Sequence, residues 1–218
     1  MSNNSKNDKK YWDLYYRKNP KPTQPSTFAQ FIYPCLKGNK LLIELGCGNG
    51  RDSIYFANKL NVIGIDQIER EINYLNKKYS DENIEFLAGD FTNLKKSDNS
   101  IFNQKIDYIY SRFTFHSINE AKENRTLDWI ETTLDENGMF FLEVRSIKDP
   151  MFKKGKFLSD NENFTDHYRR YADFDKIQEK LKNRNFEIIY KTEDNDLAIY
   201  NDENPFVIRI IAKKIAEN

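Results

Sequence analysis

Apolar runs of strand length alternate with segments of helical periodicity through most of the chain. Leu41-Leu42-Ile43-Glu44-Leu45 is such a run, and it stops at Gly46-Cys47-Gly48-Asn49-Gly50. A helical pattern then covers 50–60, and a second strand over 61–66 ends in Asp66. The same alternation predicts a helix over 68–79, a third strand over 83–87, a fourth over 105–110 and a helix over 119–134. A turn at Asn137-Gly138 precedes a fifth strand over 139–145. Helix 173–183, strand 185–190 and the run Pro205-Phe206-Val207-Ile208-Arg209-Ile210-Ile211-Ala212 complete the pattern. Strands that alternate with helices in this way build a mostly parallel sheet with helices on both faces, the α/β class.

Two stretches depart from the alternation. Residues 1–10 are almost all polar and predict a disordered tail. Tyr11-Trp12-Asp13-Leu14-Tyr15-Tyr16-Arg17 follows as a dense aromatic cluster, and Pro20, Pro22 and Pro25 interrupt the chain after it. Ser26 is placed to cap a short helix through Phe28, Phe31 and Ile32. This region reads as a helical cover, residues 1–37, over a single domain spanning 38–218. Its aromatics either close over the mouth of the sheet, with Tyr15 against a substrate, or pack on the side of the domain. The second departure is 146–168, loop-like and basic at Lys153-Lys154-Gly155-Lys156. A connection of that length is functional or disordered.

Composition narrows the class. The 218 residues carry 34 basic and 34 acidic side chains, so the formal charge is zero and a general nucleic-acid binder is disfavoured. No apolar run is long enough to cross a bilayer, and no signal-peptide core is visible, so no membrane partner is expected. Cys35 and Cys47 make no metal-binding pattern, and no metal is expected. A reduced, cytoplasmic protein is the natural reading. The oligomeric state is left open.

The chemistry begins at the glycines. Strand, glycine loop, helix brings backbone N–H groups close to a nucleotide-like ligand. The dinucleotide fingerprint needs a third glycine one residue later than Gly50, where Arg51 stands, which disfavours a nicotinamide oxidoreductase. Glu44 sits two residues before Gly46, giving E-x-G-x-G-x-G. Asp66 follows Gly46 by twenty positions, at the tip of the second strand, where a carboxylate meets ribose hydroxyls. Asp90-Phe91 follows the third strand, and Ser111-Arg112-Phe113-Thr114-Phe115-His116 the fourth.

Taken in order, these stretches resemble the class I S-adenosylmethionine-dependent methyltransferases across about 38–215. The resemblance implies a Rossmann-like, seven-stranded sheet with an antiparallel last strand, and S-adenosyl-L-methionine as methyl donor. It implies a cofactor site of Glu44, Gly46, Cys47, Gly48, Asn49, Gly50, Asp66, Gln67, Asp90, Phe91 and Ser111. In that pattern Asp90 approaches the adenine amino group and Phe91 packs on the adenine face. The stretches at Ser111–His116, Glu143-Val144-Arg145-Ser146 and His167-Tyr168-Arg169-Arg170 look like small bacterial methyltransferases of capsule and surface-polysaccharide clusters, some acting on an O-methyl phosphoramidate group.

The acceptor side is read from the residues themselves. Only two histidines are present, His116 and His167, and both fall in loops expected at the crevice. Histidine is a natural base near neutral pH. The same loops carry Arg112, Arg145, Arg169 and Arg170, whose forks match phosphate or carboxylate oxygens. His116, His167 and Arg112 are the catalytic candidates; Arg112, Arg145, Tyr168, Arg169, Arg170 and Tyr15 are the substrate-binding ones. Together they predict a methyltransferase acting on an oxygen of a small anionic metabolite. The competing readings are another small molecule, a nucleic acid, or a cofactor-binding protein without activity.

Overall fold

A computed structural model describes residues 3–18, 24–79, 83–95, 102, 104–200 and 203–216. The chain forms two compact units, Met1–Phe91 and Thr92–Asn218. In the first unit a helix, α1 (Asn3–Lys18), begins far earlier than the polar composition of residues 1–10 suggests. Its aromatic turns are docked: Asp13 accepts from Arg70 at 3.0 Å. A helix nucleated at a docked segment propagates through lysine-rich sequence at little cost. Pro20 and Pro22 lie outside the described residues.

Ser26 caps α2 (Thr27–Ile32) as expected, its hydroxyl accepting from the Ala29 N–H at 3.0 Å. The Asp52 carboxylate in turn accepts from the Ser26 N–H and hydroxyl, each at 2.7 Å. Two βα steps and a third strand follow: β1 (Leu41–Leu45), α3 (Arg51–Ala57), β2 (Asn61–Asp66), α4 (Glu69–Tyr79) and β3 (Ile84–Ala88). β2 lies parallel between β1 and β3. Gly64, mid-strand in β2, sits under the glycine loop and α3. A Cβ there would come within 2.8–3.0 Å of Phe86, Ser53 and Cys47.

The second unit runs β4 (Ile106–Arg112), α5 (Glu120–Thr133), β5 (Leu134–Arg145), β6 (Lys156–Ser159), β7 (Glu162–Phe164), β8 (Tyr168–Arg170), α6 (Phe174–Lys182), β9 (Phe186–Asp194) and β10 (Val207–Lys214). The Asn137-Gly138 turn is absorbed into β5, where Asn137 takes φ 63° and the β4–β5 register slips. Residues 146–168 are not the open loop that their composition predicts. They hold a single helical turn (Pro150–Lys153) and, with β8, a small antiparallel sheet ordered β6-β7-β8. Asn163 stabilises it, its buried amide donating to the Met151, Phe152 and Lys154 carbonyls at 2.9–3.1 Å.

The main sheet has seven strands in the order β3-β2-β1-β4-β5-β10-β9. β10 runs antiparallel to both β5 and β9, as the family resemblance implies. Isoleucines, leucines and phenylalanines of these strands form the core. Parallel strands put their carboxyl ends, and hence the loops after β1, β2 and β3 or after β4 and β5, at one edge of each unit's portion of the sheet.

Candidate active site

The cofactor side belongs to the first unit. β1 ends at Glu44 and Leu45, and the chain turns through Gly46, Gly48 and Gly50 at φ 73°, 56° and 76°. Side-chain-bearing residues rarely tolerate these angles. The Gly46 and Cys47 N–H groups donate to the Ile65 carbonyl of β2 at 2.8 and 3.0 Å. The Gly48 N–H donates to the Asp66 carboxylate at 3.0 Å, and the other Asp66 oxygen accepts from Ile68 at 2.9 Å. Asp66 is buried, and burial raises its pKa although the backbone donors oppose the rise. The Gln67 N–H also favours the charged carboxylate, whose remaining acceptor capacity is available to a ligand hydroxyl.

The remaining cofactor candidates divide by depth. Asn49 and Gln67 are half-buried at the loop and just past β2. The Gly89 N–H donates to the Asp66 carbonyl at 2.9 Å, which brings the end of β3 beside the end of β2. Exposed Asp90 and half-buried Phe91 follow directly. Glu44 lies deeper, accepting from the Ser53 hydroxyl at 2.5 Å, its pKa raised well above normal by burial and by Asp52. It braces the loop from beneath. Cys47 contributes its backbone, and its thiol is buried with a raised pKa, first through desolvation. Tyr15 is 37% exposed on α1, whereas its neighbour Tyr16 lies against Gly48.

This cradle suits S-adenosylmethionine on the chain's own geometry: close backbone approach at the glycines, and a buried carboxylate fixed at the strand tip.

The acceptor candidates other than Tyr15, and the cofactor candidate Ser111, lie in the second unit. β4 ends at Arg112, and Phe113 takes φ 54°, an unfavourable angle for a bulky residue. Its ring lies 4.3 Å from the Arg112 guanidinium and 5.5 Å from that of Arg145, with the His116 ring centroid at 5.5 Å. Strain of this kind persists where surrounding contacts overdetermine the conformation, and it clusters at functional sites. Sequence reasoning missed Phe113, because nothing in a single chain marks a left-handed phenylalanine.

His116 sits on a single helical turn, Phe115–Ser117, and is 4% exposed. β8 packs against that turn, so His167, just before β8 and also 4% exposed, comes within electrostatic reach of His116. Burial, then Arg145, His167, Arg169 and Arg112, push the His116 pKa well below the ordinary value. Burial and Arg169 lower His167 to about 4. Both imidazoles are therefore neutral at physiological pH. The Nδ1 of His116 has no hydrogen-bond partner among the described residues.

The arginines are held by carboxylates. Arg112 pairs with Glu143 at 2.7 Å. Arg145 donates to Asp149 and to Glu203, each at 2.8 Å. Arg169 donates to Asp166 at 2.7 Å and to the Thr165 hydroxyl. Arg170 is different from the other three. It donates to buried Glu123 of α5 at 2.6 Å, with Lys180 on the other Glu123 oxygen at 2.7 Å. Arg170 is thereby an anchor between β8 and α5. The Tyr168 hydroxyl donates to Glu162 at 2.7 Å. Ser111 is fully buried, its hydroxyl bonded to Thr114 within the turn after β4. Among the described residues no group of three or more metal-ligating side chains occurs, and no helix is long and apolar enough to cross a membrane.

The strand–glycine loop–helix, the acid at the tip of β2 and the antiparallel β10 define the class I S-adenosylmethionine-dependent methyltransferase fold. The chain belongs to the methyltransferase family: the family's methyltransferase-domain model matches residues 36–193. Solved structures agree in fold. A methyltransferase from Methanosarcina mazei superposes with TM-score 0.68 at 18% identity, covering 86% of this chain and 98% of that one. The 1,6-didemethyltoxoflavin-N1-methyltransferase of Burkholderia thailandensis, solved with its substrate and S-adenosylhomocysteine, gives 0.63 at 16% identity, covering 87% and 77%. A TehB-like methyltransferase from Corynebacterium glutamicum gives 0.66 at 16% identity, covering 97% and 100%. No curated protein matches the chain. The enzyme is thus an S-adenosylmethionine-dependent methyltransferase, and S-adenosyl-L-methionine is its cofactor.

Proposed function

We propose that the acceptor is an oxygen of a small anionic metabolite. The observation that carries this reading is His116: a buried, neutral imidazole with an unpartnered Nδ1, in the field of Arg145, Arg169 and Arg112. S-adenosylmethionine supplies an electrophilic methyl on a sulfonium, open to in-line displacement. The chain's part is alignment and proton handling. His116 accepts the proton of an acceptor hydroxyl as its oxygen takes the methyl group, and His167 hydrogen-bonds alongside. For an oxygen already ionised, as in a phosphate, no base is needed, and the histidines only donate or accept hydrogen bonds. Arg145 and Arg112 hold the anionic group. Arg145 uses two of its five donors on Asp149 and Glu203. Those carboxylates fix the fork in place while leaving it able to bind.

Zero net charge supports a small molecule over a nucleic acid. The narrower reading, a phosphoramidate or a sugar- or nucleotide-linked precursor of a capsular polysaccharide, rests on the sequence likeness at Ser111–His116, Glu143–Ser146 and His167–Arg170. A nitrogen acceptor is the second reading, supported by the N1-methyltransferase among the similar folds. A screen of phosphorylated, carboxylated and neutral acceptors with isotopically labelled methyl donor tests these readings. Turnover is expected on anionic acceptors, with the label on oxygen. Arg145→Ala and Arg112→Ala are each expected to lower kcat/KM about a hundredfold while S-adenosylhomocysteine affinity stays within twofold. Wild-type turnover in both variants would sink the anion site.

A further inference from the structure

The glycine loop and Asp66 form a complete cradle without α1, yet α1 reaches into it. A Cβ on Gly48 would lie 2.5 Å from the Tyr16 hydroxyl oxygen and 2.9 Å from Cζ of its ring. Tyr16 thus stands where the middle glycine of the loop leaves room for a ligand. The helix that carries it is fastened. Trp12, one turn earlier, stacks on Tyr16 with centroids 6.1 Å apart and planes 26° apart. Asp13 accepts from Arg17 at 2.9 Å and from Arg70 of α4 at 3.0 Å. Tyr15 meets Trp12 and Tyr16 edge-on from the exposed side of the same helix. Burial, and then the negative charge of Asp66, hold the Tyr16 hydroxyl protonated far above physiological pH. It is therefore a permanent hydrogen-bond donor beside the carboxylate-lined end of the cradle.

We infer that Tyr16 is a cofactor-binding residue: its ring closes the glycine cradle, and its hydroxyl donates a hydrogen bond to an oxygen of bound S-adenosylmethionine. The inference rests on loop 46–50 as the cofactor site and is independent of the acceptor. It gives the aromatic cluster of α1 a specific task, which Trp12 and the Asp13–Arg70 pair serve by keeping the ring in place.

The test is calorimetric titration with S-adenosylhomocysteine, paired with tryptophan emission in a Trp129→Phe background. That substitution leaves Trp12 as the only indole. The parent is expected to bind, with a change in Trp12 emission. Tyr16→Phe keeps the ring and is expected to weaken binding roughly three- to tenfold, the value of one hydrogen bond, with the emission change retained. Tyr16→Ala is expected to weaken it further and abolish the emission change. Tyr16→Phe binding like the parent overturns the hydrogen bond, even if Tyr16→Ala is weak. Both variants binding within twofold of the parent overturn the whole inference. A parent chain that fails to bind S-adenosylhomocysteine overturns the cofactor site itself, and this inference with it.

Discussion

The candidate sites of the two units carry buried ionisable groups shifted in opposite directions. In the first, the cradle is built on carboxylates: Asp66 at the tip of β2 and Glu44 beneath the loop, both with pKa values raised by burial. In the second, the candidate acceptor loops carry His116 and His167, both with pKa values lowered by burial and by nearby arginines. A carboxylate placed among backbone N–H groups shapes a loop and receives hydroxyls. A neutral imidazole among guanidiniums accepts hydrogen bonds, and an anion beside it would offset the positive field that lowers its pKa. Under the proposed function the difference separates a generic task, holding a cofactor, from a specific one, choosing an acceptor.

The comparison breaks first at Asp66. Asp66→Ala removes the acceptor for the Gly48 and Ile68 N–H groups. It is expected to lower S-adenosylhomocysteine affinity roughly a thousandfold, the loss of two charge-assisted hydrogen bonds. Calorimetry reads it, and an affinity within tenfold of wild type would show that the loop stands without its acid.

Acid sharpens the contrast next. The unfolded chain protonates His167 near 6.5 and the folded chain only at about 4. That contribution to stability is complete above about pH 6.5 and is lost as pH falls toward 4, about 3 kcal/mol in all. His116 adds in the same direction. Raised carboxylates act with the opposite sign, because the folded state binds their protons more readily. Chemical denaturation across this range should therefore show stability falling with acid, and the fall should be shallower in His167→Gln. A slope unchanged by that substitution would remove His167 as its source.

The smallest expected effect separates Arg170 from its neighbours. Arg170→Ala leaves buried Glu123 with Lys180 alone and is expected to cost about 2 kcal/mol of stability. Turnover per folded molecule is expected to stay near wild type. A hundredfold loss of turnover would return Arg170 to the acceptor site.

Legibility in the sequence followed the same division. The βα alternation, the ends of β1 and β2 and the Ser26 cap are readable because local periodicity and turn chemistry determine them, whereas the antiparallel direction of β10 follows only from the family resemblance. The cradle was readable because its glycines and its acid act through spacing. α1 was not, since its polar first turns are helical through tertiary docking at Asp13 and Arg70. The β6-β7-β8 sheet was hidden because its strands are three or four residues long and depend on Asn163. The arginines were visible as charges, but their partners, Glu143, Asp149, Glu203 and Glu123, are set by long-range packing. That Tyr16 rather than Tyr15 faces Gly48 is set by helix phase, which composition alone does not give.

Glu143 has one more consequence. It is fully buried in β5 and takes Arg112 of β4 on one oxygen and Arg209 of β10, 66 residues away, on the other, at 2.7 and 2.6 Å. The Arg112 guanidinium is thus positioned by a carboxylate whose second counterion comes from β10. Placement of Arg112 is therefore tied to the pairing of β10 with β5, so a change at Arg209 would reach Arg112 through Glu143.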